Sequence, residues 1–215
     1  MSQISVDLKK TTIPILVEGR QMNPASHFLL SWTIANTANL PRRDRALVTL
    51  TGVIPDIDGV GIIAELLTEN TSMPLIWYSK YHHVLGHNLG LGLILMAAVF
   101  WLSIRRWVAA FLAFIAFHLH LFGDLVGSRG PDGYQWPMPY FLPFSTDWTL
   151  TWEGQWELNA WPNILITLLI LGITLFLAWK RGHSPVEMIS LKADTALVAG
   201  LRKRFGEPTA AMHNE

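Results

Sequence analysis

Five apolar stretches divide the chain, at residues 26–39, 46–54, 89–104, 107–122 and 163–179, and polar or turn-forming residues separate them. The first is only moderately apolar, and Ser26 stands where a helix N-cap is expected. The second ends in Pro55-Asp56-Ile57-Asp58-Gly59, a turn signal. Residues 59–80 read as a partly helical link carrying Glu65 and Glu69. The third and fourth stretches flank Arg105-Arg106 and predict a helical hairpin with a basic tip. Each arm would be ~24 Å long at 1.5 Å per residue, somewhat short for a ~30 Å hydrocarbon core. The fifth stretch is the clearest transmembrane helix and stops at Lys180-Arg181. No internal repeat is evident. The pattern predicts an all-α fold, an antiparallel multi-helix integral membrane bundle.

Composition strengthens the membrane reading. Apolar residues make up 51% of the 215 and charged residues only 15%, below the ~25% charged of an ordinary soluble domain. The formal net charge of zero gives no electrostatic case for nucleic acid. The absence of cysteine excludes disulfides, thiolate nucleophiles and Cys-type zinc sites, and leaves His, Asp and Glu as metal ligands. Residues 1–25 read as a polar lead-in with a short apolar patch at 13–17, unlike a signal peptide. The expected organisation is this lead-in, a domain over 26–181, and a polar tail over 182–215 that carries no ligand cluster.

The chemistry-bearing residues lie at the edges of the apolar stretches. His118, His120 and Asp124 fall at the end of the fourth, before a loop rich in Pro, Gly and aromatics that could cover a site. His120 and Asp124 are one helical turn apart and share a face, whereas His118 points elsewhere. Two imidazoles and a carboxylate in apolar surroundings are costly unless partnered, and a metal ion would partner them. Residues 81–88 read YHHVLGHN and add His82, His83 and His87. The segment lacks the Glu of a zinc-protease motif. His27 begins the first helix, and Asp56 and Asp58 follow the second. After residue 146, Trp148, Trp152, Trp156 and Trp161 suggest an interfacial belt, with a small hairpin turning at Glu153-Gly154 as one option.

Along an up-and-down helix path the basic groups Arg42/Arg43/Arg45, Arg105/Arg106 and Lys180/Arg181 fall at one end. By the positive-inside tendency that end is cytoplasmic. His27, Asp56, Asp58, His82, His87, His120 and Asp124 fall at the other and are the expected metal ligands, with Asp58 and His83 also candidates for acid–base work. Imidazole with carboxylate suits zinc first, and manganese or iron also, as one or two ions. The chemistry expected of such a site is hydrolysis by a metal-activated water.

Ser26-His27, Pro55-Asp56-Ile57-Asp58, His82/His87 and His120/Asp124 together resemble the YdjM-like membrane-bound metal-dependent hydrolases, over roughly residues 24–180. The resemblance implies a bacterial inner-membrane protein acting on an ester, with a phosphoester of a lipid or lipid-linked molecule favoured. Where the family commonly has His-Arg, this chain has His82-His83, so His83 is either a ligand or a replacement for the cation. Arg129 could hold a phosphate through its planar fork, with Tyr134, Trp136 and Tyr140 at the entrance. The rival expectation is a metal-ion transporter or metal-sensing membrane protein, which would place its ligands near the midplane. Substrate and oligomeric state are not legible in these residues.

Overall fold

The computed structural model describes residues 24–130 and 133–208. Among these residues eight α-helices run in the order α1 (Pro24–Ala35), α2 (Arg42–Thr51), α3 (Gly61–Thr68), α4 (Trp77–Tyr81), α5 (Leu89–Leu102), α6 (Arg106–Gly127), α7 (Trp161–Arg181) and α8 (Leu191–Phe205). Short 3-10 segments lie at Ile54–Val60 and Pro185–Met188. Among the described residues there is no extended sheet, only isolated bridges at Arg129–Glu157 and Met138–Leu150. An all-helical membrane fold was expected and is what the chain forms. The 13–17 patch and His213 lie outside the described residues.

Helix α6 is the axis of the bundle and packs against α1, α2 and α5. Its buried residues Ala109, Ala113, Ala116, His120, Asp124 and Gly127 recur every three or four positions, one face of a helix. Three alanines on that face let neighbouring backbones approach closely, as bilayer packing requires. They meet Ala35, Leu40, Val48 and Val99 in one core cluster. The outward faces stay apolar: Phe111 on α6, Ile94 on α5, and Ile164, Leu168 and Phe176 on α7 are exposed in the isolated chain. Surface of that kind is suited to lipid.

Helices α6 and α7, of 22 and 21 residues, are long and apolar enough to cross a membrane. A third span is available if α2 and the segment Ile54–Thr68 count as one bent element, broken by 50°. Helix α6 outruns the expected 107–122 because the His120–Asp124 turn continues it to Gly127, whereas α5 stops at Leu102. Two further expectations are corrected. Helix α1 begins at Pro24, so Ser26 is no cap; it lies inside the helix, its Oγ 2.7 Å from Thr167 Oγ1 of α7. Helix α2 begins at Arg42, ahead of the apolar stretch at 46–54, so Arg42 to Arg45 form its first turn rather than a separator.

The basic groups do gather at one end. Asp44 is buried there and accepts from the backbone N–H groups of Ile104 and Arg105, at 3.0 and 2.7 Å. Glu187 is buried too. Arg45 donates to both its carboxylate oxygens, at 2.8 and 2.6 Å, and Arg42 donates to its backbone carbonyl. His183 Nε2 meets Asn36 Oδ1 at 2.8 Å. Residues 183–205 are therefore folded against the bundle, and α8 within them is capped by Ser190.

Candidate metal centre

At the opposite end, chain breaks bring four elements together. Pro55 has no N–H for a continuing helix, and the chain bends between α2 and the 3-10 segment. The bend frees the Gly52 carbonyl, which accepts from Nδ1–H of His120 at 3.0 Å. A carbonyl only accepts, so that contact assigns the proton to Nδ1 and leaves the Nε2 lone pair facing inward. Past the bend, Asp56 and Asp58 face the segment between α4 and α5. Gly86 lies so close to Pro55 that an added Cβ would stand 2.1 Å from the Pro55 carbonyl oxygen. That approach lets the Gly86 N–H donate to Asp58 Oδ2 at 2.9 Å.

Four side chains converge. Asp56, His87, His120 and Asp124 each offer one ligand atom, all within 4.8 Å of one another. His120 Nε2 lies 3.0 Å from Asp124 Oδ2, 3.1 Å from His87 Nε2 and 3.5 Å from Asp56 Oδ1. His87 Nε2 lies 3.2 Å from Asp124 Oδ2 and 3.9 Å from Asp56 Oδ1. Donors at about 2.0–2.2 Å from a tetrahedral ion stand about 3.3–3.6 Å apart, close to these edges. His87, His120 and Asp124 are buried, and Asp56 Oδ2 is buried with no hydrogen-bond partner among the described residues. A group of this composition and spacing could hold a divalent ion.

The remaining candidates surround these four. His27 Nε2 approaches the other Asp124 oxygen at 3.2 Å, and its ring lies 3.9 Å from that of His120. Asp58 stands behind the group. Its Oδ1 is 2.7 Å from His82 Nδ1 and its Oδ2 3.5 Å from His87 Nδ1, so it orients both imidazoles from outside. His82 thus faces Asp58 rather than the four-atom group, and its ring stacks on Tyr78 at 4.6 Å. His83 is buried, its Nδ1 unpartnered among the described residues, in a left-handed backbone conformation (φ 64°), and its ring lies 4.3 Å from that of His87. Helix α4 ends at Tyr81, and the three histidines occupy the turn that follows it.

Burial works against a charge on His87, but hydrogen bonds to the Asp124 and Asp58 carboxylates outweigh it and push its pKa up to about 9 without an ion. Burial, and then the neighbouring His87 charge, hold His83 well below the ordinary histidine range.

His118 turns away. Its Nδ1–H donates to the Phe114 carbonyl at 2.8 Å, and its Nε2 accepts from the Tyr140 hydroxyl at 2.8 Å. Tyr140 therefore serves as a clasp on the loop rather than at an entrance. Trp136 stands against His82 and His83, with ring separations of 5.4 and 5.5 Å, and Tyr134 stands against Trp136. Arg129 lies outside the donor set, 3.9 Å from Glu157.

Sequence reasoning passed over the groups that hold this end together. Gln155 donates to the Asp124 carbonyl at 2.8 Å, and Asn163 donates to that of Gly127 at 2.8 Å while accepting from Trp156 Nε1 at 2.8 Å. Asn88 caps α5, its Oδ1 accepting from Leu91 N–H at 3.0 Å. Only Asn88 had a local signal, an Asn directly before an apolar helical run.

No curated protein and no solved structure matches this chain. The model of the YdjM inner membrane protein family matches residues 22–201, a span that contains α1 to α7, most of α8 and every residue of the buried group. The chain belongs to the YdjM inner membrane protein family.

Proposed function

We propose that this protein is a membrane-embedded metal-dependent hydrolase that cleaves an ester, a phosphoester of a lipid or lipid-linked molecule being the class that best suits the site. The observation that carries the reading is the buried Asp56–His87–His120–Asp124 group, set at helix ends rather than along a path through the bundle. A transporter needs ligands with access from both sides. By the positive-inside tendency, the basic groups at the opposite end support a site on the non-cytoplasmic side.

Asp56, His87, His120 and Asp124 would hold the ion, zinc by the donor chemistry, with His27 available to a second ion beside Asp124 Oδ1. When bound, such an ion supplies Lewis acidity and lowers the pKa of water to about 7. The chain's own residues do the rest. Asp58 fixes the rings of His82 and His87. His83, neutral and with Nδ1 unpartnered among the described residues, would accept the proton of the attacking water and return it to the leaving oxygen. Arg129, five residues beyond Asp124, has its side chain in a partly exposed pair with Glu157 and would exchange that pair for a phosphate at the rim.

The test is metal analysis of the purified protein, then a hydrolysis screen over phospholipids and simple phosphoesters. Stoichiometric divalent metal, with hydrolysis lost on chelation and in Asp124→Ala, is the expected result. A protein that purifies without metal, or hydrolysis that survives chelation, overturns it. Metal flux into protein-containing vesicles without hydrolysis would favour transport instead.

A further inference from the structure

At the basic end of the bundle, α7 and α8 enclose a groove of about 450 Å³ lined by Gly172, Leu175, Phe176, Trp179, Leu201 and Phe205. Its walls are almost wholly apolar. Gly172 forms a notch in the surface of α7, and a Cβ added there would meet nothing within 4 Å. From Trp179 to Gly172 the groove follows α7 for about 10 Å, down a face whose other residues are suited to lipid.

The mouth of this groove is cationic. The Lys180 ammonium lies over the Phe176 ring, 5.9 Å from its centre, and the Arg204 guanidinium lies over the Phe205 ring at the same distance. Both aromatic walls thus carry a positive charge. Arg181 and Lys203 are exposed on the same two helix ends. The described acidic groups of this region do not cancel them. Glu187 is buried under Arg45, Asp194 is buried on the Ser184 backbone N–H and hydroxyl, and the exposed Glu207 faces Arg202 at 3.4 Å. Trp179 closes the corner, its indole N–H donating to the Gly206 carbonyl at 2.7 Å. That bond holds the end of α8 against α7.

An apolar slot opening under a pair of cations at a membrane surface matches an anionic phospholipid in both halves. We infer that the α7–α8 groove is a binding site for one anionic phospholipid, its acyl chain lying between Trp179 and Gly172 and its phosphate held by Lys180 and Arg204. The site stands at the far end of the bundle from the metal-binding group and does not rest on the hydrolase reading. It has a structural consequence, because the lipid joins α8 to the transmembrane helix that leads back to Asn163 at the other end.

The experiment uses the full chain, delipidated and then exposed to nanodiscs or mixed micelles of phosphatidylglycerol or phosphatidylcholine, with retained lipid counted by native mass spectrometry. Wild type should retain phosphatidylglycerol in preference to phosphatidylcholine. Lys180→Gln with Arg204→Gln should lower phosphatidylglycerol retention about thirtyfold, at about fivefold per cation near a membrane surface. Gly172→Leu fills open space, so it should fold normally and lower retention of either lipid. Equal retention of the two lipids by wild type, or wild-type retention by the double variant, overturns the site. So does complete displacement by inorganic phosphate, which would show an anion site without an acyl slot.

Discussion

His120 donates its Nδ1–H to the carbonyl of Gly52 at 3.0 Å, across the break that separates α2 from the segment bearing Asp56 and Asp58. This contact settles the tautomer of His120 and couples the bend in one element to ligand geometry on another. It also marks which histidine of α6 belongs to the group, since His118 spends both ring nitrogens elsewhere.

Replacing His120 or Asp124 by alanine should abolish bound metal. His118→Ala should keep full metal content, because it loses only contacts to Phe114 and the Tyr140 clasp, a cost of about 1 kcal/mol per hydrogen bond. Metal-to-protein ratios of the three purified variants check this. Full metal in His120→Ala together with loss in His118→Ala would show that the other face of α6 carries the site.

Asp58 touches two imidazoles from outside the group of four. Asp58→Asn should therefore lower metal affinity by about 10–100-fold without eliminating binding, the usual effect of losing an orienting carboxylate. Titration with a competing chelator measures the shift. Loss of all metal would place Asp58 among the ligands themselves.

Gly86 has no room for a side chain, since a Cβ added there would stand 2.1–2.9 Å from backbone atoms of Pro55. Gly86→Ala must separate the two segments and draw the Gly86 N–H away from Asp58. A lowered melting temperature and weakened metal binding should appear together. A variant with wild-type values for both would mean that the close approach has no role.

His87 gives the metal-free protein a definite pH dependence. Its folded pKa, about 9, lies above the ordinary value of 6.5. The stability it lends is fully present below about pH 6.5 and is lost as the pH rises through about 9. Metal must displace that proton, so metal affinity moves in the opposite direction and rises with pH across the same window. Thermal melts of the metal-free and metal-loaded protein between pH 6 and 9.5 should diverge. Parallel curves would exclude His87 as a group that exchanges a proton for metal.

Truncation after Gly182 removes Glu187 and leaves Arg42 and Arg45 without their partner at the basic end. Breaking such a largely buried pair costs about 3–5 kcal/mol. The truncated protein, and Glu187→Ala, should melt at lower temperature yet still bind metal at the far end. Metal loss in Glu187→Ala at a temperature where the bundle is intact would contradict this separation of the two ends.

The linear pattern determined what short-range physics can carry. Apolar runs, their length and the basic residues between them specify helices, their lipid-facing character and the gathering of Arg42, Arg105 and Arg181 at one end. The i, i+4 spacing of His120 and Asp124 specifies that they face one way, because a helix imposes that geometry on any sequence. The turn at residues 82–87 has no such period. Which of His82, His83 and His87 turns inward depends on the left-handed backbone at His83 and on the contact of Gly86 with Pro55, thirty-one positions away. The same holds for Asp56 and Asp58, two apart in one turn, of which one joins the four-atom group and the other stands behind it. The tail shows the limit most plainly. Its polarity reads as a solvated segment, yet Glu187 is buried because Arg45, from the first turn of a distant helix, supplies the hydrogen bonds that a buried carboxylate requires, while Arg42 holds the backbone carbonyl of the same residue. Such partners are chosen by the packing of helices far apart in sequence, so only the tertiary structure decides them.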